Sequence, residues 1–281
     1  PLDSTRNFLR RARDPALADH APGRMPAGPA MAAAPRLSLA IVPTTSLTSA
    51  DWDELWQLTD AFFETDRGWA QDGARRHPLT AMVRSRDDGR LMGSASISMH
   101  HVLIGGRMVT AIYTSQVLLR PEARGRNVLQ KLGFRCFLAE RLRHPFRRIY
   151  WFFDTFGWKS YLLLPRNFRD FWPRHDRPTP PRVQSLIDRL ASRIHGADWR
   201  PAQGVVVRSG RKRLRPATAP LAGARPSPDI DFFLRANPGH AEGDMLVCLC
   251  PLSAANWLSA GLRALARGWR RWRRGGRAAG G

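Results

Sequence analysis

Lysine is almost missing from this chain. Only Lys131, Lys159 and Lys212 occur, although Lys and Arg together number 45 against 23 Asp and Glu. Arginine therefore carries nearly all of the +22 formal charge, and a field of that size attracts phosphorylated cofactors, nucleic acid, acidic lipid or acidic proteins. Cysteine is scarce too. Cys136, Cys248 and Cys250 are an odd set without a repeating spacing, which argues against a disulfide-built secreted domain. Cys248 and Cys250 share one face of a strand-like run, but no second ligand pair accompanies them, so no metal site is expected. No run approaches the roughly 20 apolar residues of a membrane span. The opening residues lack the apolar core of a signal peptide, and the expectation is a cytoplasmic protein.

What is present is aromatic and apolar. Ten Trp and 13 Phe within a 43% apolar composition can build a large core, which excludes disorder throughout. Residues 1–35 read differently, as a basic arm without apolar periodicity. From residue 36 the elements are legible. Residues 36–43 alternate as a strand. Thr48 is a helix cap with Asp51 three residues on. Trp52, Leu55, Trp56, Thr59, Phe62 and Phe63 then form one helical stripe, read as core. Asp87-Asp88-Gly89 joins two alternating runs as a hairpin, and Gly105-Gly106 turns into a third strand. Residues 126–143 are helical, with Leu129, Leu132, Cys136, Ala139 and Arg143 at seam spacing. Residues 147–155 are a buried strand, followed by a helix that must bend near Pro165.

Antiparallel strands followed by a helical crossover imply an α/β (α+β) fold with a mixed, mostly antiparallel twisted sheet flanked by helices. The strands on either side of the crossover should run parallel. The expected organisation is the arm (1–35), a main α/β domain (36–176), a C-terminal extension packed on the core (177–252) and a basic amphipathic tail (253–281). In the tail, Trp257, Leu258, Leu262, Leu265, Trp269 and Trp272 lie on one side, with arginines elsewhere.

Chemistry concentrates in residues 117–134, "VLLRPEARGRNVLQKLGF". Pro121 ends a strand because it lacks an N–H. Gly125 lets backbone approach a ligand, Arg124 and Arg126 add charge, and the helix that follows offers unpaired amides. Together they make a socket for a pyrophosphate; the plainer alternative is a basic surface turn. Residues 36–168 resemble the GNAT acyltransferase superfamily, whose phosphate signature Arg/Gln-x-x-Gly-x-Gly/Ala opens the helix after its fourth strand. Arg124 matches its first position and Arg126 a common basic position. Asn127 and Leu129 stand where the two small residues would be. Asn tolerates the left-handed backbone that glycine would supply.

The resemblance implies direct transfer of an acyl group from a thioester to an amine or hydroxyl. The donor would be acetyl-CoA, a longer acyl-CoA or an acyl chain on acyl carrier protein, and the acceptor a small amine or amino acid. It places the pantetheine arm along Val117, Leu118 and Leu119, and the phosphates on Arg124, Gly125, Arg126, Asn127, Val128 and Leu129. It implies Tyr161 as the acid for the leaving thiolate; Tyr161 reads equally as a core residue. Asp154, at the carboxyl end of its strand, is a candidate to bind the amine, or else a helix cap. His101, with His100 beside it, is a candidate base, or else a surface residue. A second reading is a non-catalytic binding protein on the same scaffold, its basic tail lying on anionic membrane. A third, nucleic-acid binding through residues 208–216 and the tail, ranks last because no base-reading motif accompanies the charge.

Overall fold

The computed structural model describes residues 35–278 apart from 209 and 216–226, with side chains up to Trp269. Residues 1–34 of the expected arm, the side chain of Trp272 and part of the 208–216 segment lie outside this description.

The amino-terminal elements follow local signals closely. β1 (Leu37–Pro43) leads to α1 (Ser49–Asp60). The capping box forms: Thr48 Oγ1 accepts from Asp51 N at 3.2 Å, and Asp51 Oδ2 accepts from Thr48 N at 3.0 Å, satisfying donors that a helix start leaves open. α1 stops at Asp60, so Phe62 and Phe63 are not its continuation; Phe63 opens the short β2 (Phe63–Thr65). α2 (Arg67–Arg75) was not legible in the sequence. Gly68 and Gly73 lower its propensity, and a Cβ on Gly73 would lie 2.7 Å from Gln116 Nε2, so that side chain would have to shift.

β3 (Leu79–Ser85), β4 (Leu91–Ile104) and β5 (Arg107–Leu119) form the expected meander, and α3 (Val128–Arg143) crosses over to β6 (Arg148–Thr155). β5 and β6 are parallel from Val109↔Arg148 to Thr114↔Phe153. The chain continues through α4 (Trp158–Tyr161), α5 (Leu163–Asn167), α6 (Pro181–His195), β7 (Trp199–Arg200), β8 (Val205–Val206), β9 (Lys212–Leu214), α7 (Pro228–Ala236), β10 (Met245–Pro251) and α8 (Ala254–Ala278). The helical break falls at Leu162, and Pro165 sits in the first turn of α5, where its missing N–H costs nothing. Among the described residues, one sheet runs β1-β3-β4-β5-β6-β10-β8-β7, while β2 pairs with β9. The fold is thus the expected mixed α/β sheet with helices on both sides.

Alternation divides the sheet into two faces. Ala81, Ala95, Ile97, Ile112, Phe153, Cys248 and Cys250 share a core with α3, α4, α5, α7 and the start of α8. Tyr113, Phe152, Val247 and Leu249 pack against α6 on the other face, and Met82 and Leu118 pack beneath α1. The buried seam of α3 is Val128, Leu132, Cys136 and Glu140. This corrects the sequence reading: Ala139 and Arg143 are exposed and Leu129 is half-buried.

Candidate active site

Pairing between β5 and β6 ends at Thr114↔Phe153, so Ser115 to Leu119 have no β6 partner. The register of β5 against β4 shifts at the same level. Gln116, at φ 49°, takes a left-handed conformation unusual for a residue with a side chain, and its Nε2 donates to Ala70 O at 3.2 Å. The two parallel strands therefore split, exposing strand backbone along one side of the gap.

The 117–134 segment lies at the far end of this split. A 3-10 turn (Pro121–Ala123) is followed by Gly125 at φ 75° and Asn127 at φ 58°, ψ 27°, the left-handed geometry expected of it. No side chain caps α3, leaving its first-turn amides and about half a unit of positive charge directed outward. A Cβ on Gly125 would meet nothing within 4 Å. Arg124 is exposed; its Nε donates to Leu119 O at 3.1 Å and its guanidinium lies 5.8 Å from the Phe62 ring. Arg126 is half-buried in the same loop. Val117 is exposed beside the split and Leu119 half-buried, whereas Leu118 and Val128 are buried in core clusters and offer backbone only.

At the closed end of the split, where β5 and β6 stop pairing, sits a buried polar cluster. Tyr113 donates its hydroxyl to Asp154 Oδ1 at 2.9 Å. Asp154 Oδ2 lies 3.6 Å from His195 Nε2 and 3.8 Å from Arg208 Nη2. Arg208 Nη2 donates to His195 Nδ1 at 3.1 Å, which puts the imidazole proton on Nε2, facing the carboxylate. The side chains of Asp154 and His195 are only 1% and 2% exposed. Arg208 also pairs with Asp198 at 3.2 Å. The cluster extends along Tyr113: His77 and His100 lie 5.4 and 6.0 Å from its ring, and His77 Nδ1 is 2.8 Å from Ser98 Oγ.

Burial governs the protonation of these groups. It lowers the pKa of His77 to about 4, against partial compensation from Asp154. It lowers those of His100 and His195 as well, so all three imidazoles are neutral at pH 7. Burial pushes the Tyr113 hydroxyl well up, with the Asp154 charge adding to the effect, and Tyr113 stays a proton donor. Lys212, whose ammonium lies 4.1 Å from the Phe63 ring, is lowered by burial to about 8, again opposed by Asp154.

The expected catalytic residues are not brought together. Asp154 is at the split, hydrogen-bonded to Tyr113 and flanked by His195 and Arg208, and not a cap; Gly157 occupies the N-cap position of α4. Tyr161 is fully buried among Phe171, Phe232 and Phe233, and its hydroxyl donates to Pro173 O at 3.1 Å. His101 points to the other face of the sheet from His100. Its Nδ1 is 3.0 Å from Thr110 Oγ1 and 3.2 Å from Arg147 Nη1. With Glu140 and His144 it forms a group whose ligand-capable atoms lie within 4.8 Å of one another. Arg143 reaches Glu140 at 3.5 Å, so guanidinium groups already supply positive charge there.

Tyr113, His195, Arg208 and His77 were missed because no local pattern marks them. Their neighbours in sequence are ordinary strand, helix-end and loop residues. The stripe on α1 was read as core, but Trp52, Leu55, Trp56 and Thr59 are half-buried. With Ala70 and Gln71 of α2 they line a groove floored by Thr80, Ser94 and Ser96 and bordered by Gln116. This groove lies on the same face of the sheet as Tyr113 and Asp154.

Residues 44–140 match the model of the acetyltransferase (GNAT) domain. This part of the chain, about a third of its length, is thus similar to the GNAT acetyltransferase domain. The GNAT match ends within α3, so β6 and Asp154 lie beyond it. Among solved structures, an acetyltransferase of Trypanosoma brucei is similar at 22% identity over 52% of this chain and 100% of its own, with a TM-score of 0.34. ElaA of Escherichia coli is similar at 14% identity over 52% and 95%, TM-score 0.31. The GNAT family N-acetyltransferase YhbS of the same organism, solved in complex with CoA, is similar at 14% over 52% and 78%, TM-score 0.32. No curated protein matches the chain.

Proposed function

We propose that this protein is an N-acyltransferase that moves an acyl group from a coenzyme A thioester directly to an amine. The observation that carries this reading is the strand split itself, with an uncapped helix start at one end and a buried carboxylate at the other. Pyrophosphate would rest on the α3 amides with Arg124 and Arg126 beside it. The pantetheine arm would pair with the free backbone of residues 115–119. Acetyl-CoA and longer acyl-CoA both suit such an arm.

The acceptor would enter by the groove under α1 and α2. Asp154 attracts the ammonium form of an amine and takes its proton, and the freed lone pair attacks the thioester carbonyl. The carbon–nitrogen bond forms and the carbon–sulfur bond breaks; the second proton, shed by the nitrogen as it becomes an amide, goes to the sulfur, which leaves as the thiol, and the first passes from Asp154 to solvent. Tyr113, His195 and Arg208 hold the carboxylate and so act as positioning residues.

Titration calorimetry with coenzyme A, and thiol release from acetyl-CoA in the presence of a panel of amines and amino acids, test the proposal. Coenzyme A should bind, and Arg124→Glu should weaken it roughly tenfold, about 1.4 kcal/mol, without changing the melting temperature. Unchanged coenzyme A affinity in that variant would remove the socket from the reading.

A further inference from the structure

We infer that the outer faces of α3 and α8 together form a docking surface for an anionic lipid bilayer. α3 is apolar on two sides. Its buried seam faces the sheet, while Phe134, Leu138 and Leu142, each four residues apart, are 43% to 73% exposed. A surface helix normally keeps that side polar. The stripe continues into the following loop at Phe146, which is 100% exposed. That loop is braced: Arg141 donates to the carbonyls of Pro145 and Arg147, so the ring is held out in water on an ordered turn.

α8 supplies the second half. Leu258, Leu262, Leu265 and Trp269 are 57% to 72% exposed. The two stripes meet where Phe134 packs edge-on against Trp257, ring centroids 5.4 Å apart. The other side of α8 is fastened down. Arg263 donates to the carbonyls of Pro165 and Phe168, and Arg267 to Arg166 O and Asn167 Oδ1. The apolar side is thereby kept outward. An exposed apolar surface of this extent marks an interaction site.

Charge selects the occupant. Every charged residue of α8 is an arginine, and the only acid of α3, Glu140, is buried. Arg143, Arg147 and Arg148 surround Phe146 in the sequence. Large apolar side chains framed by cations without surface acids fit the boundary between acyl chains and anionic headgroups. A second copy of a +22 chain would bring like charges together. The inference does not rest on acyl transfer. If both hold, the thioester socket, at the start of the same α3, lies beside the bilayer.

The test is co-sedimentation of the full chain with phosphatidylcholine vesicles, alone or containing phosphatidylglycerol. Binding is expected only to the anionic vesicles and should weaken with salt. Leu142→Glu with Phe146→Glu should lower vesicle affinity at least tenfold with α8 intact, and Leu262→Glu with Leu265→Glu should do the same, circular dichroism being unchanged in both. Phe146→Glu alone, at a fully exposed position, covers the case in which a double variant fails to fold. Absence of binding to anionic vesicles, or wild-type binding by the α3 variants, would overturn the inference. So would a dimer that these substitutions convert to monomer while vesicle binding is unaffected, because a second copy would then be what covers the face.

Discussion

Tyr113 on β5 reaches across to Asp154 on β6 with a 2.9 Å hydrogen bond at the point where these parallel strands stop pairing. The bond fixes a carboxylate in a nearly water-free site between a neutral imidazole and a guanidinium. Asp154→Asn should lower kcat by a hundredfold or more, the usual range for a lost proton acceptor. Tyr113→Phe keeps the ring among His77, His100 and His195 but leaves Oδ1 without its donor. It should cost about 1–3 kcal/mol of stability and a smaller loss of kcat, with an altered pH profile. Steady-state kinetics and urea unfolding separate these effects; equal kcat in Asp154→Asn and wild type would exclude the carboxylate from the chemistry.

Stability should fall on acidification before most carboxylates titrate. Unfolded, His77 gains its proton near 6.5; folded, burial delays this to about 4. The unfolded chain therefore binds more protons between these values. The stability contribution is complete above pH 6.5 and is lost as pH falls toward 4. His195 and His100 act in the same direction. His77→Gln should flatten this dependence by about 2 kcal/mol after allowance for partial exposure, measured by urea unfolding between pH 4 and 7. An unchanged slope would mean that His77 is not the titrating group.

The turn before α3 offers a backbone test. Asn127 at φ 58° tolerates a conformation that a β-branched residue resists. Asn127→Val should cost about 1–2 kcal/mol and weaken coenzyme A binding, while Asn127→Gly should retain or improve both. Calorimetry and thermal melting of the pair distinguish loss of conformation from loss of the amide side chain.

The carboxyl-terminal helix is fastened at its first turn. Asn256 is fully buried, accepts from the amides of Arg169 and Asp170 at 3.1 and 2.9 Å, and donates to Asp170 O and Pro251 O, both at 2.7 Å. Asn256→Ala leaves these groups unpaired and should cost about 2–4 kcal/mol. Truncation after Leu252 also removes Trp257 from the core and the Arg263 bonds to Pro165 O and Phe168 O, and should abolish soluble expression. Truncation after Gly268 should not. Denaturation midpoints and soluble yield check both.

Where the physics is local, the sequence could be read. Thr48 and Asp51 satisfy one another's amides within a single turn, so their capping box is visible as a spacing. Asp87-Asp88-Gly89 marks a hairpin for the same reason, and Asn127 marks a left-handed residue. The gap in legibility opens with distance. Tyr113 and Asp154 are 41 positions apart, and His195 and Arg208 join them from the end of α6 and the loop after β8. The resemblance implies Tyr161 as an acid, but a neighbouring helix, α7, buries it against Phe232 and Phe233.

The sequence by itself determined the order of the elements, the parallel crossover, the basic loop and the charge, because hydrophobic period, turn chemistry and composition act over a few residues. Tertiary structure alone decided which polar groups meet at the split, which aromatic residues line a groove and which side of α3 remains uncovered. Those outcomes depend on where β5 and β6 part and on which helices cover each face of the sheet, a relation among segments far apart in the chain.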